Sequence, residues 1–160
     1  MSFIAGKYSV TVTPPAGSPL SVGQLKRGVS LEHQVFKQLI TGDNFAEAPQ
    51  DAVFRGMAVF AQMTLLEYNA AGAASVFWPY GSTYLTGGVI GRLDSALAGS
   101  MIMTALASTP AAAAPATVTL PLSILAEGFP VSLLFAPELR EVPIRQRVYP
   151  NSSHVFGTLT

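Results

Sequence analysis

A mainly β fold carrying one short helix is predicted by three features of the sequence. Residues 7–13, KYSVTVT, alternate strictly, with Tyr8, Val10 and Val12 on one face and polar side chains on the other. Residues 52–66 form a long apolar run with a single charge, Arg55. Its Val and Phe content and the interior Gly56 favour strand over helix, because glycine weakens a helix interior. The clearest helical spacing comes just before Pro79. Ala70, Ala73, Ala74, Phe77 and Trp78 fall on one stripe, and Pro79 stops it.

Taken in order, the first strand is followed by the turn-forming run Pro14-Pro15-Ala16-Gly17-Ser18-Pro19. Residues 25–39 read as a second strand, with Val29, Leu31, Val35 and Leu39 facing away from Glu32, Gln34, Phe36 and Gln38. Leu31, Val35, Phe36 and Leu39 also fit a helical stripe, so a helix over 31–40 stays open. Residues 42–51 supply a polar, acidic loop. The strand that follows places Phe54, Phe60 and Leu66 on one face and Val53, Met57, Val59, Met63 and Leu65 on the other. A strand apolar on both faces must be covered on both, by the domain or by a neighbour.

Asn69 is a suitable N-cap for the helix, which closes one end of the sheet and packs through Phe77 and Trp78. An aromatic ligand box of Trp78 and Tyr80 is the sharper alternative. Residues 82–92 are β-prone but broken by Gly87, Gly88 and Gly91. Further strands are predicted over 100–106, 117–125, 131–135 and 142–149. Pro121 confines the 117–125 strand to an edge or a bulge. The Ala/Pro-rich stretch 107–116 is a loop. In the last strand Ile144, Gln146 and Val148 share one face, and Arg145, Arg147 and Tyr149 the other. Residues 151–160 form a terminal arm with Val155 and Phe156 to dock it.

The 160 residues suit one domain, 1–160. Only 11% are charged, against an apolar fraction of 49%. Ordinary globular domains carry about a quarter charged residues. The deficit points to a surface largely covered by other subunits. Nine basic and nine acidic residues balance, which gives no cationic excess for gripping nucleic acid. Without cysteine there are no disulfides, thiolate metal sites or cysteine nucleophiles. MSFIAGKYSV lacks a basic segment leading into an apolar core, so no secretory signal is expected, and synthesis is assigned to the cytosol. No stretch has the roughly 18 uninterrupted apolar residues of a membrane helix.

Catalytic chemistry finds little support. His33 lies between Glu32 and Gln34, His154 lies in the terminal arm, and no nucleophile–base set follows from spacing. The hydrolase, zinc-protease and phosphate-loop motifs are all missing from the chain. Gly87-Gly88-Val89-Ile90-Gly91 lacks the spacing of a dinucleotide fingerprint. The oxygens of Asp43, Asn44, Glu47 and Asp51 suit a hard cation, but the plain reading is a solvated loop or a contact to a neighbour. No catalytic residue, metal or cofactor is therefore assigned. Arg145 and Arg147 could meet that acidic loop across an interface and fix its register.

Taken together, GDNFAEAPQDAVFRG, TLLEYNAA and FWPYG resemble the tail tube (major tail) proteins of long-tailed bacteriophages. The likeness covers about residues 28–81, with looser agreement at FIAGKYSVTV and in the last strands. It implies a β-sandwich or barrel of the tail-tube type with one flanking α-helix and extended loops or arms. It further implies rings of six copies, stacked into a tube through which DNA passes without specific binding. On this reading the location is the virion tail, after synthesis in the bacterial cytoplasm. The partners are other copies of the chain and the tape-measure, terminator and distal tail proteins. The loop at about 41–52 becomes the inter-subunit loop, and the inter-subunit contacts are assigned to Asp43, Asn44, Glu47, Asp51, Arg55, Arg145 and Arg147. A neck, adaptor or capsid-decorating protein is the alternative, and a small ligand-binding β-barrel the remoter one.

Overall fold

The computed structural model describes residues 7–42, 48–67, 71–80, 87–106, 116–133 and 141–160. They form a mainly β domain with one short helix on its flank. The strands are β1 (Tyr8–Thr13), β2 (Leu20–Ser21), β3 (Leu25–Thr41), β4 (Pro49–Leu65), β5 (Gly99–Ala105), β6 (Thr117–Leu125), β7 (Val142–Tyr149) and β8 (Thr158–Leu159), and the helix is α1 (Ala71–Phe77).

All strands join one antiparallel sheet in the order β2-β1-β5-β6-β7-β4-β3, with β8 beside β6. The sheet curls back on itself through a single bent segment. β2 pairs with β1 and β3 pairs with β4, yet only Val22, Gly23 and Gln24 separate β2 from β3. Within this link Val22 N–H donates to Val10 O (3.1 Å), and Leu66 N–H donates to Gln24 O (3.0 Å). One stretch of chain therefore hands its hydrogen bonds from β1, the second strand of the path, to β4, the last but one. Curling of this kind gives a small sheet an enclosed interior.

Strict alternation decides what fills that interior. Val10 and Val12 of β1, Met101 and Met103 of β5, Val118 and Leu120 of β6, and Ile144 and Val148 of β7 all point inward and are buried. From β4 come Val59, Ala61, Met63 and Leu65. The β6–β5 register slips between Gly99 and Met101, opposite the segment that holds Pro121. The proline therefore sits at a bulge, where its missing N–H costs no ladder bond.

Helix α1 packs its Gly72, Ala73, Val76 and Phe77 inward against β1, β2 and β6. This face is rotated from the predicted stripe: Ala74 is exposed, and Gly72 and Val76 are buried instead. Gly72 explains the rotation. A Cβ there would lie 2.5 Å from Ser21 O, so only glycine lets the helix approach β2 so closely. Trp78 N–H closes the helix by donating to Ala74 O (2.8 Å), and Pro79 prevents another turn. The predicted N-cap, Asn69, and Ala70 lie outside the described residues.

Three other expectations change. Residues 131–133 are irregular and 134–135 lie outside the described residues, so no strand forms over the described part of 131–135. Residues 87–92 are irregular or turn, and β-prone 82–86 lies outside the described residues. The acidic loop is shorter than 42–51, because β4 already begins at Pro49.

Candidate assembly surface

The longest elements of the fold reach beyond its body. β7 pairs with β4 only over residues 59–65, so residues 49–58 of β4 have β3 alone beside them. Residues 34–41 and 49–58 thus make a two-stranded ribbon, about 25 Å long at ~3.3 Å per residue. Every residue from Ser30 to Thr41 is exposed. Among the described residues, no strand pairs with the outer edge of β3 or with that of residues 49–58.

The apolar side chains of the ribbon lie on both faces. Val35, Leu39 and Phe54 line the face continuous with the domain interior, and Phe36, Ile40 and Val53 line the other. Phe54 is 61% exposed and Leu39 60%. Here the structure corrects the predicted faces. Phe36 pairs with Gly56 but Lys37 pairs with Phe54, so Arg55 is an extra residue in a β-bulge. Gly56 makes the bulge affordable with φ of 141°, a conformation that side chains disfavour. The bulge moves Phe54 to the face of Met57 and Val53 to the face of Phe60. The strand is still apolar on both sides, with the two sets exchanged at its outer end.

The assigned contact residues fall in separate places. Asp51 is paired opposite Ile40 in the ribbon, and its Oδ1 accepts from Ala52 N–H (2.7 Å). Arg55 is exposed in the bulge and forms no ion pair with a described residue. Asp43, Asn44 and Glu47 lie outside the described residues. Arg145 and Arg147 stand on the outer face of β7 and find partners within the chain. Arg145 lies 3.6 Å from Glu32, and Arg147 pairs with Glu127. Both guanidinium groups also approach Phe60, at 3.9 Å and 5.4 Å from the ring centroid. The Phe60 ring thus takes part in two cation–π contacts. Phe77 belongs to the interior, and Trp78 packs partly buried against it. The Trp78 and Tyr80 rings meet edge-on at 5.9 Å.

Sequence reasoning missed a polar cluster beside β7. Tyr149 O–H donates to Asp94 Oδ2 at 3.4 Å. Burial, with the Asp94 carboxylate next in weight, raises the Tyr149 phenol above its ordinary pKa, and Arg147 opposes the shift. Tyr80 is raised for the same first two reasons. Asp94 and Tyr149 are far apart in the chain, and no local pattern links them. His33 is exposed on β3, while His154 lies in a turn whose N–H groups at Ser153 and Val155 bond Asn151 Oδ1. The described residues hold no cluster of three metal-ligating side chains and no helix long and apolar enough to cross a membrane. The terminal arm docks on its own domain: β8 pairs with β6, and Phe156 packs against the core.

A search against protein-family models found no match to the chain, and a search of curated proteins found none of significant similarity.

Proposed function

We propose that the chain is a structural virion protein that assembles with copies of itself into stacked rings, forming the tail tube of a long-tailed bacteriophage. The observation that carries this reading is the β3–β4 ribbon, with apolar side chains on both faces and two open edges. An isolated ribbon of this kind is an aggregation hazard. Pairing the β3 edge of one copy with the β4 edge of the next removes the hazard, and a ring closes the series. The ribbons then form one shared sheet around a lumen, six copies to a ring, as the resemblance to tail tube proteins implies. The scarcity of charge and the zero net charge suit a wall along which DNA slides. The proposed partners are further copies, the tape-measure, terminator and distal tail proteins, and DNA in transit. The proposed location is the virion tail.

Electron microscopy of the purified chain tests the proposal. Stacked-ring tubes of open length are the expected result. Isolated rings or trimers would reassign the chain to a neck, adaptor or decorating role. Dispersed monomers at high concentration would overturn assembly altogether.

A further inference from the structure

Two apolar features of the described residues stand toward opposite ends of the sheet. The first is the turn at 89–92. Arg92 N–H donates to Val89 O (3.3 Å), and Gly91, third in the turn, has φ of 86°. A type II turn requires a positive φ at that position, which suits glycine. The turn puts Ile90 at its tip, 100% exposed, with Val89 and Leu93 each 73% exposed beside it. Single exposed apolar side chains are ordinary, but three so close in sequence make a patch. The second feature is a groove of about 300 Å³ between the base of the ribbon and the terminal arm. Leu31, Met57, Leu120, Phe156 and Leu159 line it. Leu31 and Leu159 are exposed at its rim, and Leu120 is buried in its floor. The turn leads through the single helical turn Asp94–Ala96 to the start of β5, where Gly99 pairs with Ser123. Val118, which also lines the groove, lies farther along β6, about 17 Å from Ser123 at ~3.3 Å per residue. The sheet thus holds the turn of one molecule away from its own groove.

We propose that residues 89–93 of one copy dock in this groove of a second copy, a head-to-tail contact between two copies of the chain. The sizes agree. Ile90 with either Val89 or Leu93 needs roughly 210–240 Å³, at about 30 Å³ per water-sized group, and the groove offers about 300 Å³. The charges agree as well. Arg92, beside the tip, is exposed and forms no ion pair with a described residue. Glu32 lines the groove, and its side chain stays 50% exposed beside Arg145. Such a pair on the rim adds orientation more than affinity, which leaves the apolar tip as the anchor. Because turn and groove are different surfaces, each added copy presents a fresh groove, and the series stays open-ended instead of closing as a dimer. No strand edge of the ribbon takes part, so the contact goes beyond the ring reading and does not depend on it.

The chain has no cysteine, so introduced thiols report the contact without background. Val89→Cys and Leu159→Cys are made as separate proteins, mixed and oxidised with oxidised glutathione. Both positions are exposed, so the fold should tolerate them. A disulfide forms only where the two Cα atoms come within about 4.4–6.8 Å, so it marks direct approach of turn and groove. The mixed dimer should form at least about tenfold faster than with Val53→Cys, which is exposed but outside the groove. Adding Ile90→Asp to the Val89→Cys protein should slow it about tenfold or more, the loss expected when a buried aliphatic anchor becomes charged. The same cross-link should form when Leu39→Lys and Phe54→Lys are present in both proteins, so a failure of ring assembly is read separately from a failure of this contact. Equal rates with Leu159→Cys and Val53→Cys would overturn the proposal, as would a rate indifferent to Ile90→Asp.

Discussion

Tyr149 is where a single side chain gives this fold a measurable pH dependence. Its phenol is raised from the ordinary value of 10.0, first by burial and then by Asp94. The folded chain thus holds the phenol neutral more strongly than the unfolded chain does. The resulting stability is complete below pH 10, and it is lost as pH rises through the folded value. Tyr149→Phe removes the ionisable group and the bond to Asp94, at a cost of about 0.5–1.5 kcal/mol near neutral pH. Urea unfolding at a series of pH values should show the unaltered protein losing stability above about pH 10 and the variant losing less. Some decline should persist, because Tyr80 is shifted in the same direction. Parallel curves for the two proteins would mean that Asp94 and burial do not act on Tyr149.

At the scale of elements, the ribbon separates folding from assembly. Phe54 and Leu39 lie on one of its faces, away from the body, and both are largely exposed. Replacing both with lysine should change unfolding stability by no more than about 0.5 kcal/mol per site, as for other surface substitutions. Each replacement should nevertheless weaken association about tenfold or more, since burying such a side chain is worth about 1.5–3 kcal/mol. Sedimentation velocity over a concentration series reads the association, and thermal unfolding reads the fold. Unchanged assembly in the folded double variant would exclude this face of the ribbon from the contact. How far such elements are legible in sequence depends on local pattern. β6 and β7 were legible to the residue, because both are bounded by loop residues, β7 alternates without interruption, and Pro121 marked the one break in β6. The two faces of β7 were likewise plain. In β4 the pattern crosses a bulge, and Gly56 alone hinted at it, so Val53 and Phe54 exchange faces. β2 and β8, at two residues each, are too short for any period. The partners of Arg145 and Arg147 were illegible because Glu32 and Glu127 come from distant strands and turns. The cavity of about 370 Å³ beside α1 was illegible for the same reason, since Pro14, Phe77, Leu97 and Gln146 in its lining come from stretches far apart in the chain.

For the whole molecule, the distribution of charge decides what kind of force holds an assembly together. Eighteen charged residues serve a chain of 160, in equal numbers of each sign. The three ion pairs among the described residues join parts of one chain, and none involves residues 34–41 or 49–58. The described ribbon offers Lys37, Asp51 and Arg55 as its charges, set among six exposed large apolar side chains. Association through that surface should therefore be driven by apolar burial. Apolar association is entropic near room temperature and weakens on cooling, whereas exposed ion pairs are screened by salt. Light scattering can follow assembly while sodium chloride is raised from about 0.1 M to about 1 M, which shortens the screening length from about 10 Å to about 3 Å. Assemblies should persist or grow under that change, and they should loosen on cooling from about 25 °C to about 5 °C, in keeping with the heat-capacity signature of apolar burial. Dissolution by salt with no response to temperature would mean that charges hold the copies together, and Lys37, Asp51 and Arg55 would then replace the apolar side chains of the ribbon as the contact.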